Sequence, residues 1–304
     1  PDGRPTRRFN ELLVFSQIGC SMLAEVISIG DELTSGQRLD TNSQWLSQRL
    51  GELGFRVVWH TTVADDLDAN IAVFRAALDR ADVVVVSGGL GPTADDLTRD
   101  AFAAALGVEL VLDEEVLERI RAMFAFFKRD MPERNRVQAM FPAGTRVIPN
   151  PHGTAPGIAA TVERAGRGPS RVYCLPGVPA EMFEMFAATV APELVPTDGS
   201  RRLIRHRVIK CFGVGESHLE QMLPDLIRRG REPSVGITVS QATISLRITA
   251  SGASEEECLT LIAPTEATIR ESLGEIIFGD TDDELENAVG RLLAQHQKTL
   301  ATAE

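Results

Sequence analysis

Four consecutive valines followed by a glycine-rich segment constrain the fold of this 304-residue chain more than any other feature. The run Val83–Val86 is apolar and β-branched throughout, which is typical of a strand buried on both faces of a sheet. The segment 87–98, Ser-Gly-Gly-Leu-Gly-Pro-Thr-Ala-Asp-Asp-Leu-Thr, follows directly and predicts a loop that leads into a helix. Together they predict the strand, loop and helix of an α/β fold.

Strands and helices alternate along the first part of the chain. Strands are predicted over 23–30 and 55–63, and amphipathic helices are predicted to begin at Asp40 or Thr41 and to span 66–80. This alternation predicts a mostly parallel sheet with helices on both faces. Ligands bind such sheets beyond the carboxyl ends of the strands, so the loops at those ends are the candidates for function.

The loop after the four valines has the composition of a phosphate and metal site. Gly88, Gly89 and Gly91 allow the backbone to approach a ligand closely, and the N–H groups of the loop and the next helix can face an anion. Asp95 and Asp96 offer hard oxygen ligands for a divalent cation, Mg²⁺, Mn²⁺ or Co²⁺. A plain turn before an acidic helix start is the alternative.

Two other loops follow predicted strands. The first strand leads into 30–36, with Asp40 and Asn42 just beyond, and a later strand over 171–175 leads into 176–179. We expect these loops and the glycine loop to form one cleft, with the turn 153–157 as a wall. For 176–179, a simple strand-to-helix turn explains the sequence equally well.

Carboxylates dominate these loops, at positions 31, 32, 40, 95 and 96. A cation held by them could polarise a phosphoryl group and activate water, leaving one carboxylate as general base. Both phosphoanhydride hydrolysis and nucleotidyl transfer fit that arrangement. For each single carboxylate, the capping of a loop or helix is the alternative.

Composition narrows the class of protein. The formal net charge of −12 disfavours nucleic acid as a partner. The cysteines at 20, 174, 211 and 258 lie far apart, as free thiols of a cytoplasmic protein do, and no run approaches the ~18 apolar residues of a membrane span. We therefore expect a cytoplasmic protein of about two domains, with a homodimer as the expected oligomer.

The second part of the chain predicts a small α+β unit after a linker near 192–199. Strands are predicted at 203–212, 235–240, 243–250 and 275–278, and helices at 215–230 and 254–273, with a further helix at 281–296. The predicted division is therefore an N-terminal extension over 1–21, an α/β domain over 22–195, the small unit over 200–278 and a last segment over 281–304.

These motifs, taken together, resemble the CinA family of competence/damage-inducible proteins. The resemblance runs from Met22 to the end and rests on the segments 30–33, 40–42, 87–96, 153–157 and 175–179, and on Asn135 with Gln138. It implies a three-layer α/β/α domain similar to the molybdopterin-binding fold, followed by a KH-like domain. The small unit contains no G-x-x-G loop between its helices, so RNA binding is not expected.

The resemblance implies metal-dependent hydrolysis of a nucleotide diphosphate, with ADP-ribose split into AMP and ribose 5-phosphate. Asp96 and Asp40 match the functional aspartates of molybdopterin relatives and are predicted to be catalytic, while Asp31, Asp95 and Asp96 are predicted to hold the cation. The nucleotide substrate is predicted to contact Gly30, Asp31, Glu32, Asn42, Ser87, Gly88, Gly89, Gly91, Pro92, Thr93, Gly153, Thr154, Pro176, Gly177 and Pro179.

Two alternatives to hydrolysis stay open. One is molybdopterin binding or adenylylation in molybdenum cofactor synthesis. The other is a non-catalytic nucleotide-binding module of a longer nicotinamide-nucleotide amidohydrolase, because residues 299–304 resemble the opening strand of that domain. We expect the chain to end before the nucleophilic serine of that domain.

Overall fold

The computed structural model describes residues 22–195, 203–223, 225–228, 230–240 and 242–301. The chain divides into two units, with the break after Val195. The predicted extension over 1–21, residues 196–199 of the predicted linker and residues 302–304 lie outside the described residues. None of the helices in the described ranges is long and apolar enough to cross a lipid bilayer.

The first unit is built on a six-stranded sheet with the order β2-β1-β3-β8-β7-β6. Strands β2, β1, β3 and β8 are parallel, and β7 is antiparallel to both of its neighbours. The strands of the unit are β1 Leu23–Ile29, β2 Arg56–Val63, β3 Val83–Ser87, β4 Leu110–Leu112, β5 Met140–Pro142, β6 Arg146–Ile148, β7 Gly157–Arg164 and β8 Arg167–Leu175, with β4 and β5 forming a separate pair. The mostly parallel sheet and three-layer α/β/α arrangement are confirmed.

Helices connect these strands. They are α1 Asp31–Thr34, α2 Thr41–Glu52, α3 Leu67–Arg80, α4 Thr98–Leu106, α5 Glu114–Phe126, α6 Pro179–Met185 and α7 Ala191–Leu194, with a 3-10 helix at Glu133–Ala139 and a π-helical turn at Phe186–Val190. Helix α3 begins where the Asp66 side chain accepts the Ala69 N–H at 2.8 Å, which caps its first turn. The apolar face of α3 then packs into the core through Phe74 and Ala77.

The core of the first unit explains why the four valines form the central strand. All four are fully buried in β3, which lies between β1 and β8. One buried charge sits at the amino-terminal end of the sheet: Glu25 accepts two hydrogen bonds from Arg80, at 2.6 and 2.8 Å. Because that pair lies at the end opposite the strand-end loops, it is not part of the expected cleft.

The second unit contains a four-stranded antiparallel sheet with the order β10-β11-β9-β12. Its elements are β9 Leu203–Phe212, α8 Glu216–Met222, β10 Ser234–Ser240, β11 Thr243–Gly252, α9 Glu255–Leu273, a 3-10 turn at Gly274–Ile276, β12 Ile277–Asp280 and α10 Leu285–Gln295. Its own apolar core contains Ile209, Leu246 and Ile262, all essentially inaccessible to solvent. The predicted small α+β domain is confirmed, and its sheet is antiparallel.

Several predicted element boundaries are wrong. The helix predicted over 215–230 ends at Met222. Residues 299–304 resemble an opening strand in sequence, but the structure has no strand over 297–301. Strands β4 to β7 were not predicted: β4, β5 and β6 contain three residues each, too few for a periodic signal, and β7 has few large apolar residues.

Candidate functional site

The loops that follow β1, β3 and β8 meet at one edge of the first unit. The three strands are adjacent and parallel, so their carboxyl ends lie side by side. The Gly88 N–H donates to the Leu175 carbonyl at 3.1 Å, which joins the second loop to the third. These loops enclose a cavity of about 680 Å³, with an adjoining cavity of about 230 Å³. The larger of the two has a size that suits a small-molecule ligand.

Most of the predicted site residues line these two cavities. The larger one, called the main cavity below, is lined by Gly30, Glu32, Gly88, Gly89, Gly91, Pro92, Thr93, Asp95, Asp96, Thr154, Pro176, Gly177 and Pro179. The smaller one, the adjoining cavity, adds Asp40, Asn42 and Ser87. Asp31 and Gly153 line neither of these two cavities.

Asp31 instead holds a second acidic residue in place. The Asp31 N–H donates to the Asp65 carboxylate at 2.9 Å, and the Asp65 N–H donates to the Asp31 carboxylate at 3.1 Å. Partial burial raises the pKa of Asp65, and the negative charges of Asp31, Asp95 and Glu32 raise it further against the lowering effect of the Asp31 N–H. Asp65, which the sequence did not single out, follows β2, whose carboxyl end lies beside that of β1, and it lines the main cavity.

The glycine loop requires its first two glycines. Gly88 has a φ of +109° and Gly89 a φ of +63°, a region that side chains rarely adopt. A Cβ atom at Gly88 would lie 2.3 Å from the Ile29 carbonyl oxygen, and one at Gly89 would lie 2.3 Å from the Thr98 hydroxyl oxygen. The sequence predicted that these glycines let the backbone approach a ligand. In the structure they line the main cavity, and they are also required because neighbouring protein atoms leave no room for a Cβ atom.

Asp96 closes this loop through hydrogen bonds to its backbone. One carboxylate oxygen accepts the Gly91 N–H at 2.8 Å. The other accepts the Thr93 N–H at 2.8 Å and also the Thr93 hydroxyl group. The N–H groups of Gly89 and Leu90, by contrast, have no hydrogen-bond partner within the described parts of the chain, and both residues line the main cavity.

Arg99, which sequence reasoning missed, binds the backbone of the loop. It is fully buried, and its guanidinium donates to the carbonyl oxygens of Leu90 at 2.7 Å and Gly91 at 3.3 Å. Burial lowers the pKa of Arg99 to about 10, which still leaves the side chain charged at neutral pH. Because Arg99 donates to both carbonyl oxygens, it restricts the backbone conformation of the loop that lines the cavity.

The Asp40 and Asn42 side chains have structural partners at the start of α2. Asp40 accepts the Ser43 N–H at 2.8 Å, which caps the helix. The Asn42 amide donates at 2.9 Å to the Ser87 hydroxyl and at 2.9 Å to the Gly177 carbonyl oxygen. Asn42 therefore ties the first strand-end loop to the other two.

The predicted metal site has no preassembled cluster in the structure. Within the described ranges, no group of three or more histidine, cysteine or acidic residues is arranged to hold a metal ion. The predicted ligand Asp96 accepts three donors of its own loop, and Asp31 accepts the Asp65 N–H. The divalent cation stays a prediction, and the function proposed below does not depend on it.

The fold and the cleft define a domain of the molybdopterin-binding type. A family model described as "Probable molybdopterin binding domain" matches residues 25–195, which carry all the loops of the cleft. A second model, "Damage-inducible protein CinA KH domain", matches residues 206–279. The chain belongs to the CinA family, as its motifs predicted.

Individual relatives agree with this assignment. A "Putative competence-damage inducible protein" of Symbiobacterium thermophilum is 42% identical over 284 residues, which are 93% of this chain and 66% of the relative. A "CinA-like protein" of Frankia casuarinae is 40% identical, with the same coverage. A crystal structure of the protein CinA with unknown function, from Thermoplasma acidophilum, is 36% identical with a TM-score of 0.52 and covers 58% of this chain and 99% of that one. The chain thus spans about two thirds of the length of the curated relatives it matches.

The prediction that this chain hydrolyses ADP-ribose is wrong. The family model over the cleft describes a molybdopterin binding domain, and the names of the relatives above, competence-damage inducible protein and CinA-like protein, describe no phosphoanhydride hydrolase. Both carboxylate oxygens of Asp96 accept hydrogen bonds from the loop in this structure. The alternative of a molybdopterin-binding-like domain fits better.

Proposed function

We propose that the cleft of the first unit binds a phosphorylated pterin of the molybdopterin kind. The observation that carries this proposal is the match of the molybdopterin binding domain to residues 25–195, since this one segment supplies every loop of the cleft. The polarity of the lining supports it. Backbone N–H groups suit the phosphate, and carboxylates suit the amino and ring N–H donors of a pterin.

The two ends of such a ligand have distinct partners in the main cavity. The phosphate is proposed to accept hydrogen bonds from the N–H groups of Gly89 and Leu90, which have no partner among the described residues. The pterin is proposed to donate to Asp65, which follows β2, or to Glu181, in the first turn of α6; both residues line the same cavity. The ligand would then lie across the carboxyl ends of β3 and β8.

Binding is tested by filling the cavity at Gly177. A Cβ atom there would lie 3.4 Å from the Gly88 Cα atom, an ordinary contact, so Gly177→Val is expected to fold and to occupy space between two loops of the cleft. We expect the unaltered chain to bind molybdopterin at one site in a fluorescence titration, and Gly177→Val to bind at least ~10-fold more weakly.

The matched control is Gly168→Val, because Gly168 lies in β8 with open space around its Cβ position. This variant is expected to bind as the unaltered chain does. Circular dichroism of both variants establishes that they are folded. Failure of the unaltered chain to bind molybdopterin, or unchanged binding by folded Gly177→Val, would contradict the proposal.

A further inference from the structure

A single arginine lies where the two cavities meet. Arg38 lines both the main cavity and the adjoining cavity, and its side chain is exposed. Its backbone N–H donates to the Glu32 carbonyl oxygen at 3.0 Å, which holds the main chain at this point. Its guanidinium forms no hydrogen bond or ion pair with any residue that the structure describes.

The other charged groups around this arginine are acidic. The charged side chains of the main cavity, apart from Arg38, are those of Glu32, Asp65, Asp95, Asp96 and Glu181, and the adjoining cavity adds Asp40. Arg38 is the one lysine or arginine lining either cavity within the described ranges. An anionic ligand would be repelled by these carboxylates, so a cation at the junction has a large effect on which ligands can bind.

The neighbouring Glu32 does not neutralise Arg38. The Glu32 carboxylate lies over Gly30, where a Cβ atom would meet one of its oxygens at 2.7 Å. No ion pair joins Glu32 to Arg38 among the described residues. The guanidinium therefore keeps its planar set of N–H donors for a partner outside the protein, and phosphate oxygens match that set in a bidentate geometry.

We propose that Arg38 determines the specificity of this cleft by binding the phosphate group of the ligand and thereby selecting phosphorylated over dephosphorylated ligands. This inference rests on the proposed function, in which the cleft binds a phosphorylated pterin. The Gly89 and Leu90 N–H groups orient the same phosphate, whereas Arg38 supplies the positive charge that the rest of the lining lacks.

The experiment compares molybdopterin with its dephosphorylated form as ligands of the whole chain. The unaltered chain is expected to prefer the phosphorylated form. Arg38→Gln is expected to lower affinity for that form roughly 10- to 100-fold and to leave affinity for the dephosphorylated form within about twofold. Arg38→Lys, which keeps the charge without the planar donors, is expected to fall in between, and raising the salt concentration is expected to weaken binding more in the unaltered chain than in Arg38→Gln.

The control is Arg119→Gln, which removes the same charge from an exposed position in α5 outside both cavities. It is expected to bind both ligands as the unaltered chain does. An equal loss for the two ligand forms in Arg38→Gln, or no preference in the unaltered chain, would overturn the role of Arg38 while leaving pterin binding intact. Absence of any binding by the unaltered chain would overturn the proposed function, and this inference with it.

Discussion

Gly88 shows how tightly a single residue is constrained at the cleft. Its φ of +109° lies in a region that costs side-chain-bearing residues energy, and the nearest atom to a Cβ at this position would be a backbone oxygen, only 2.3 Å away. That oxygen belongs to Ile29, the last residue of β1. Since it is part of the central sheet, it cannot move aside as the end of a flexible side chain could.

We therefore expect Gly88→Ala to lower the free energy of unfolding of the first unit by about 3 kcal/mol or more, because both the strained φ and the clash act on one residue. Chemical denaturation monitored by fluorescence measures this change. Gly51→Ala is the matched control: Gly51 lies in α2 with nothing within 4 Å of its Cβ position, so this change is expected to stabilise by roughly 0.5–1 kcal/mol. A neutral effect at Gly88 would show that the loop adopts another conformation.

At the scale of elements, the cleft depends on contacts between loops that lie far apart in the chain. Asn42 at the start of α2 donates to Ser87, the last residue of β3, and to Gly177, which lies just before α6. One amide group therefore connects three elements. Only the order of the strands in the sheet brings these elements together.

Replacing Asn42 by alanine leaves the Gly177 carbonyl oxygen and the Ser87 hydroxyl without this donor. We expect Asn42→Ala to cost roughly 1–3 kcal/mol of stability and to weaken molybdopterin binding by at least ~5-fold, because the loops lose a shared contact. Thermal denaturation and ligand titration measure the two effects. Gln44→Ala, on the exposed face of the same helix, is expected to change neither, and an equally small effect at Asn42 would argue against its connecting role.

At the scale of the whole molecule, each unit has its own apolar core. Phe102 is fully buried among the residues of the first core, and Leu246 is fully buried in the second. When the apolar side chains of a unit are buried by residues of that same unit, we expect the unit to unfold cooperatively by itself. The consequences of a core substitution are then confined to one unit.

We expect Phe102→Ala to destabilise the first unit by roughly 3–5 kcal/mol and Leu246→Ala to destabilise the second by roughly 2–5 kcal/mol. Hydrogen exchange followed by mass spectrometry is expected to show faster exchange only in peptides of the altered unit. The controls are Val111→Ala and Val239→Ala, at exposed positions of the same two units, and each is expected to change stability by less than about 0.5 kcal/mol. Faster exchange in both units after either core change would show that they unfold together.

Particular residues show how far the sequence alone could predict this site. The valines of β3 and the glycines after them predicted the central strand and the loop of the cleft, because a buried parallel strand and a positive φ leave clear compositional signals. Asp65 and Arg38 left none, since an acidic residue after a strand and an arginine in a polar loop are common on any surface. Arg99 looked like an ordinary helical arginine until the fold buried it beneath the loop.

The sequence by itself determined the α/β class of the first unit and the three loops that form the cleft, since these follow from local periodicity and glycine placement, and its motifs identified the family. The tertiary structure decided what each polar side chain faces. Asp96 accepts N–H groups of its own loop, Asp31 lies outside both cavities and pairs with Asp65 of the main cavity, and Arg38 lies where the two cavities meet. Such partners depend on which strand ends lie side by side, and pairing between distant segments is set by packing of the whole sheet rather than by any local pattern.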